Sequence, residues 1–258
     1  MLNITDVSVS YGSVNILKDI NFSLPAGSVT ALLGPNGTGK SSLLKAIAGL
    51  TPSTGSIGLE QHKNLSHAER ASTIAYMPQD TGATSSLTVL EVILLGKLKS
   101  LGLRVPQELQ NQAGKVLAEF GLLNLQDRTL DAISGGQRQL VFLAQSLFRN
   151  PKVLLLDEPT AALDLRHQLI VLDRVVKHCK ENGTIAIAAM HDLSLAARCS
   201  DRMICLHSGS IIAEGKPADI LTAESVEKLY GVEADIITGA DGILHITPLR
   251  AIENNLPT

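Results

Sequence analysis

Two stretches of the chain combine residue types and spacings that suit phosphoryl chemistry. The first is Gly34-Pro35-Asn36-Gly37-Thr38-Gly39-Lys40-Ser41, which matches the pattern G-x-x-x-x-G-K-[ST]. Its glycines let the backbone wrap an anion with amide N–H groups. Lys40 supplies a mobile positive charge for β- and γ-phosphates, and the Ser41 hydroxyl is a candidate Mg²⁺ ligand. The second is Val153-Leu154-Leu155-Leu156-Asp157-Glu158, an apolar strand ending in two carboxylates. Asp157 is placed to hold Mg²⁺, and Glu158 to orient or deprotonate an attacking water. Neighbouring strand residues point to opposite faces. Both acids can serve one site only if the chain turns at Glu158, which Pro159 favours.

A further anion site lies at Ile133-Ser134-Gly135-Gly136-Gln137. Here a hydroxyl and two glycines precede the helical run Gln139–Ala144, so a helix N-terminus faces outward. One phosphate loop already serves one nucleotide. A second such site therefore points to the nucleotide of another molecule. Gln79, just after Met77-Pro78, has a neutral amide able to reach Mg²⁺ and the water. His191 follows an apolar strand, at the end where ligands gather in open α/β sheets, and is suited to bond a γ-phosphate oxygen. Tyr11 offers a ring to stack on a purine. Asp164, just past the carboxylates, is a candidate link between two sites across an interface.

The elements that must position these groups are readable in outline. Val29–Leu33 is a buried strand before the loop, and Ser42–Leu50 a helix with a glycine stop at Gly49. Strand, glycine loop and helix in this order are the context such a loop requires. Residues 2–10 and 14–24 read as strands, with shorter ones at Ser56–Glu60 and Ile74–Met77. Ser66-His67-Ala68-Glu69 is a capping-box pattern opening a short helix. Residues 88–149 hold almost no strand signal. They read as helices inserted into an α/β core, one using Val89, Val92, Ile93 and Leu95, another Leu109 to Phe120 with Gly121 as its stop. Strand signals return at 153–156, 185–190, 203–206 and 211–213, with helices near 165–180 and 193–199. Residues 217–258 carry a weaker α/β pattern.

Composition limits the setting. A chain of 258 residues with 45% hydrophobic and 3% aromatic content builds a large aliphatic core of mixed helix and parallel sheet. A net charge of −3 gives no electrostatic case for nucleic acid or an anionic membrane surface. Three cysteines without a C-x-x-C pair fit a reducing compartment. No apolar run of 18 residues and no signal-peptide pattern at Met1-Leu2-Asn3 point to a cytoplasmic protein that reaches a membrane only through a partner.

Taken together, Tyr11, the loop 34–41, Gln79, 133–137, 153–157, Glu158, Asp164 and His191 resemble, in order and spacing, the ATP-binding subunit of an ABC transporter. The resemblance covers roughly residues 2–236. It implies an α/β P-loop NTPase core with a mixed sheet, an N-terminal antiparallel β subdomain and an inserted α-helical subdomain. The implied boundaries are an ATPase domain over 1–236, with helices inserted at about 85–150, and a tail over 237–258. It also implies ATP and Mg²⁺ as cofactors. Gly34, Asn36, Gly37, Thr38, Gly39, Lys40, Ser41, Ser42 and Tyr11 would bind nucleotide in one subunit (Walker A). Ser134, Gly135, Gly136, Gln137 (the signature) and Asp164 would complete the site of its partner. Ser41, Gln79 and Asp157 would hold the metal. Glu158, His191 and Gln79 would be catalytic.

The implied assembly is a head-to-tail homodimer with two ATP molecules between its subunits. It would sit on the cytoplasmic face of the cell membrane against two transmembrane permease subunits, and indirectly serve a substrate-binding protein. The chain departs from the family pattern at Ile133, where Leu is usual, and at Ala161, where Ser is more common; neither change removes a catalytic group. Leu163–Gln168, Met190–Arg198, Leu87–Val92 and Tyr230-Gly231-Val232 resemble the importers of ferric siderophores, haem and cobalamin. Ferric siderophore is the expected cargo, with haem or cobalamin as the alternative. A soluble ABC ATPase acting on DNA or ribosomes fits less well, because the chain has one cassette, a short insertion and a negative balance.

Overall fold

The computed structural model describes residues 1–79, 85–97, 105–240 and 242–252. Two long N-terminal strands, β1 (Leu2–Tyr11) and β2 (Val14–Leu24), form a hairpin, and β3 (Val29–Leu33) then enters the interior. Helix α1 (Lys40–Ala48) follows the glycine loop, and β4 (Ser56–Leu59) returns to pair with β1. The result is an antiparallel sheet of order β2-β1-β4. Helix α2 (His67–Thr73) opens on a complete capping box made by Ser66 and Glu69, which satisfies two otherwise orphan N–H groups. Strand β5 (Ile74–Met77) follows.

The inserted segment is helical, as its patterning implies. It contains α3 (Val89–Leu95), α4 (Gln107–Glu119) and α5 (Gly135–Phe148). The apolar stripes of α3 and α4 pack with Leu140, Val141 and Ala144 of α5 in one cluster. The chain then alternates β6 (Val153–Asp157), α6 (Leu165–Asn182), β7 (Ile185–Ala189), α7 (Leu193–Cys199), β8 (Arg202–His207) and β9 (Ser210–Gly215). Two short helices, α8 (Pro217–Ile220) and α9 (Ala223–Tyr230), lead to a hairpin of β10 (Val232–Thr238) and β11 (Leu244–Ala251). That hairpin straddles the boundary drawn at residue 236.

The central sheet has the order β5-β6-β7-β3-β8-β9. Pairings are parallel except at the edge, where β9 runs antiparallel to β8. β3, β6 and β7 are buried at every residue, so their unbroken apolar runs are those of strands covered on both faces. Alternation divides them between two cores. Leu154 and Leu156 face the inserted helices and α6. Leu155 and Leu32 face α1 and the N-terminal sheet. Each fully buried Leu, Ile or Val contributes roughly 1.5–3 kcal/mol. Exposed ion pairs such as Lys152–Glu60 (2.9 Å) are screened by solvent and contribute little, so aliphatic burial dominates stability.

Candidate nucleotide site

Strand register explains which side chains meet. Met77 on β5 pairs with Leu156 on β6, and Asp157 pairs with Ala189 on β7. Gln79 and Glu158 therefore each lie two residues beyond a paired position on adjacent strands. His191 stands two beyond Ala189. All three gather at the carboxyl edge of the sheet beside the end of β3, the place where open α/β sheets bind ligands.

Glu158 is the centre of that group. Its Oε1 lies 2.6 Å from His191 Nε2, and its Oε2 accepts from Gln79 Nε2 at 2.8 Å. The turn that the paired acids require is made by the backbone of Glu158 itself, at φ +52°, in the left-handed region rarely adopted by residues with a side chain. Two bonds fix it there. Glu158 N–H donates to the Ala189 carbonyl at 3.1 Å, and the Glu158 carbonyl accepts from Gln139 Nε2 at 3.1 Å.

Asp157 stays in the strand and points to the α1 face. Its Oδ1 accepts from the Ser41 hydroxyl at 3.0 Å and its Oδ2 from the Tyr76 hydroxyl at 3.1 Å. Burial, reinforced by the charge of Asp157, pushes the Tyr76 phenol up, so it remains a donor. The donor set suits Mg²⁺, which takes hard oxygens and relies on phosphate and water for the rest of its shell. Among the described residues no cluster of three or more His, Cys, Asp and Glu offers a competing metal site.

The glycine loop wraps from β3 into α1. Gly39 is left-handed at φ +100°, and a Cβ there would come within 2.6 Å of Leu17. Helix α1 begins at Lys40, two residues before the start expected at Ser42. The loop's last residues already belong to the first turn, which aims their unpaired N–H groups outward. Lys40 folds back, with Nζ donating to the carbonyls of Gly34 (2.6 Å) and Pro35 (2.9 Å). Burial lowers its pKa, while Glu158 and Asp157 act in the opposite direction. Thr38 is buried and its hydroxyl donates to the Pro35 carbonyl.

An open cleft of about 410 Å³ is lined by Tyr11, Asn36, Gly37, Gly39, Lys40, Ser41, Ser42, Gln79 and Glu158. Its volume falls in the range of small-molecule sites, roughly 300–1,000 Å³. Tyr11 stands half exposed at its rim, near the Thr51 hydroxyl. Hydrogen bonds from Thr51 and Ser42 hold its phenol below the usual value.

Ser134, Gly136, Gln137 and Asp164 are not in this cleft. They line a separate cavity with Leu163 and His167. Ser134 caps α5 and forms a capping box with Gln137, so the Gln137 side chain is engaged within its own helix. Gly135 and Gly136 lie inside the first turn of α5, which starts four residues earlier than the expected run at Gln139. Asp164 caps α6 by accepting from His167 N–H, which is the main cause of its lowered pKa. Within one chain, this cavity and the glycine-loop cleft are separate.

Tyr76, Gln139 and Tyr230 are the contacts that the sequence did not disclose. Tyr76 belongs to a strand that was recognised, but its reach to Asp157 depends on register. Gln79 and the segment 80–87 that follows it are expected beside a permease loop; residues 80–84 lie outside the described residues. Among the described residues no helix is long and apolar enough to cross a membrane.

Residues 17–161 match the family model described as "ABC transporter". The chain is 37% identical to an iron(3+)-hydroxamate import ATP-binding protein of Bacillus subtilis, over 92% of this chain and 90% of that one. It is 34% identical to a ferric enterobactin transport ATP-binding protein of Escherichia coli, over 90% and 87%. A hemin import ATP-binding protein of Rhodopseudomonas palustris is 36% identical over 93% and 91%. Among solved structures, a metal-chelate type ABC transporter in an inward-facing conformation superposes with a TM-score of 0.82 at 26% identity, covering 96% of this chain and 97% of that one. A dimeric ATP-binding cassette in a post-hydrolysis state with ADP and phosphate gives 0.76 at 28% identity, covering 84% and 99%.

Proposed function

The chain belongs to the ABC transporter family, and from that premise we propose that it is the ATP-hydrolysing subunit of an importer that drives uptake of a metal chelate, first a ferric siderophore. The observation that carries the hydrolytic role is Glu158, held on both carboxylate oxygens by His191 and Gln79 at the edge of the phosphate cleft. The relatives named for hydroxamate, enterobactin and hemin import support the cargo class; haem or cobalamin is the alternative.

Each group then has one task. Amides from Asn36 to Ser42 and the Lys40 ammonium receive the phosphates. Lys40 exchanges its bonds to the Gly34 and Pro35 carbonyls for phosphate oxygens. Tyr11 stacks on the purine. Ser41 and Asp157 would hold Mg²⁺, with Gln79 completing the set; the ion, when bound, neutralises charge on the β- and γ-phosphates. Glu158 orients the attacking water and takes its proton. His191 holds a γ-phosphate oxygen and keeps the attack in line. Phosphoryl transfer depends chiefly on such positioning and charge stabilisation.

Closure would use a second copy, because Ser134, Gly136 and Asp164 line a cavity separate from that of their own glycine loop. Head-to-tail pairing would set the α5 N-terminus of one subunit on the γ-phosphate of the other. The inserted helical segment, which exposes Leu87 and Leu95, would receive the permease pair at the cytoplasmic membrane face. A substrate-binding protein would act on the far side. The test is uptake in cells lacking this chain. Radiolabelled ferric siderophore uptake should be lost and restored by the wild type but not by Glu158→Gln. Loss of haem uptake alone would select the alternative. Normal uptake of both, with no polytopic subunit co-purifying, would overturn the importer reading.

A further inference from the structure

Tyr230 is the last residue of α9, 196 positions from Gly34 along the chain. Its hydroxyl nevertheless accepts the Gly34 N–H at 3.0 Å. Gly34 opens the phosphate loop and is buried, one residue past the end of the β3 strand. Its backbone sits at φ +143°, and a Cβ there would come within 2.2 Å of the Leu206 carbonyl oxygen. The loop entrance is thus pressed against β8 on one side and bonded to Tyr230 on the other.

The tyrosine is itself firmly held. Its ring packs on the core that includes Cys205, Ile220 and Leu229. Burial pushes its phenol up to about 12, with the Gly34 amide acting in the opposite direction. Helix α9 starts on a capping box between Thr222 and Ser225. It ends at Gly231, whose N–H donates to the Glu227 carbonyl at 2.7 Å and whose own carbonyl accepts from Ile252 N–H at 2.8 Å. Tyr230 is therefore set between a capped helix and the end of β11.

We propose that Tyr230 is a positioning residue for ATP binding, holding the entrance of the phosphate loop so that the loop amides are aimed before the nucleotide arrives. The proposal rests on the reading of residues 34–41 as the phosphate site. Without the hydroxyl, a buried N–H loses its partner, and such a group relaxes toward another acceptor. The loop then leaves its receptive shape, and binding must restore it. The cost falls on ATP affinity. The chemical step, carried by Glu158 and His191 on other strands, is spared.

The test compares Tyr230→Phe, Leu229→Ala and Lys40→Ala in the full chain, with Kd for ATP by calorimetry and amide exchange at Gly34. ATPase kinetics of the assembled transporter are measured alongside. Tyr230→Phe keeps the ring and its packing. It should raise Kd and KM about tenfold, keep kcat within about twofold and speed Gly34 exchange by about tenfold. Leu229→Ala removes core packing on the same helix and should lower thermal stability with Kd unchanged. An unchanged Kd or Gly34 exchange rate in Tyr230→Phe overturns the proposal. An equal loss of affinity in Leu229→Ala also overturns it, by showing general loosening. Lys40→Ala separates the two readings. If it weakens ATP binding and Tyr230→Phe does not, only the positioning role falls; if Lys40→Ala binds ATP like the wild type, the phosphate-loop reading falls as well.

Discussion

The imidazole of His191 and the carboxylate of Glu158 meet at 2.6 Å, although 33 residues separate them in the chain. The contact exists because β6 and β7 are adjacent parallel strands that end level with one another. It keeps the carboxylate at the cleft edge. Under the proposed function, nucleotide binding would pass His191 to the γ-phosphate and leave Glu158 to the water.

Glu158→Gln should separate binding from turnover. The amide preserves shape and one acceptor oxygen but cannot take a proton. General-base removal costs about 10²–10⁴-fold, so hydrolysis should fall by at least about 10²-fold at unchanged ATP affinity. His191→Ala should give a related loss with weaker trapping of the ATP state, since a phosphate contact goes too. Wild-type ATPase activity in Glu158→Gln would remove Glu158 from the mechanism and make Gln79 the next candidate for positioning the water.

Tyr76→Phe tests the proposed Mg²⁺ carboxylate, Asp157. The phenol donates to Asp157 Oδ2 while Ser41 occupies Oδ1. Groups that orient a metal ligand are typically worth about 10–100-fold in metal affinity or activity. The Mg²⁺ concentration for half-maximal ATPase should rise by that order, with ATP binding in the absence of Mg²⁺ unchanged. An unaltered Mg²⁺ titration would show that Tyr76 serves packing alone.

The three thiols should make the fold alkali-sensitive. Burial pushes Cys179 and Cys199 up to about 12 and Cys205 to about 11, from an ordinary value of 9.0. Between about pH 9 and 11 the unfolded chain ionises these groups and the native chain does not. The native state then binds more protons, so stability falls as pH rises through this window and is unaffected by the thiols below it. Each thiol contributes a slope of up to about 1.4 kcal/mol per pH unit. Urea unfolding at pH 8 and pH 10 should reveal the loss, and Cys199→Ala should reduce its slope. In the native state at pH 8 all three should resist alkylation.

Local signals carried much of this architecture, and non-local ones did not. The loop 34–41, the capping box of Ser66 with Glu69, and the glycine stops at Gly49 and Gly121 depend on neighbours in sequence, and each is where its residue types imply. Helix starts at Lys40 and Gly135 were displaced because glycines and loop residues sit inside first turns, which composition argues against. Contacts fixed by strand register, such as Tyr76 with Asp157, leave no local trace. Gln139 reaching the Glu158 carbonyl and Tyr230 reaching Gly34 depend on how distant elements dock. Their residue types are compatible with ordinary helix positions. The glycine loop and the paired carboxylates of the cleft are therefore legible in the sequence, and the residues that hold them are not.

The separation of the two cavities supports a final test. Ser134, Gly136 and Asp164 line one cavity, while Lys40, Ser41 and Glu158 line another. If a partner's ATP completes the first, changing Ser134 should affect assembly and leave binding to the monomer alone. Ser134→Arg places a long side chain at the α5 N-terminus, where the γ-phosphate would dock, and its added cation opposes the positive end of the helix dipole. It also removes the capping hydroxyl, which costs about 1 kcal/mol, too little to unfold a domain with a core of this size. Glu158→Gln alone should accumulate an ATP-bound dimer, visible by size-exclusion chromatography with light scattering. Glu158→Gln with Ser134→Arg should elute as a monomer at the same ATP concentration, with an ATP affinity in the monomer equal to that of the single mutant. Adding Lys40→Ala to Glu158→Gln should also give a monomer, but with ATP binding lost, so the two monomeric outcomes differ in nucleotide content. A double mutant carrying Ser134→Arg that still dimerises with ATP would place the partner's contact elsewhere on the chain and leave the α5 N-terminus without a nucleotide to serve.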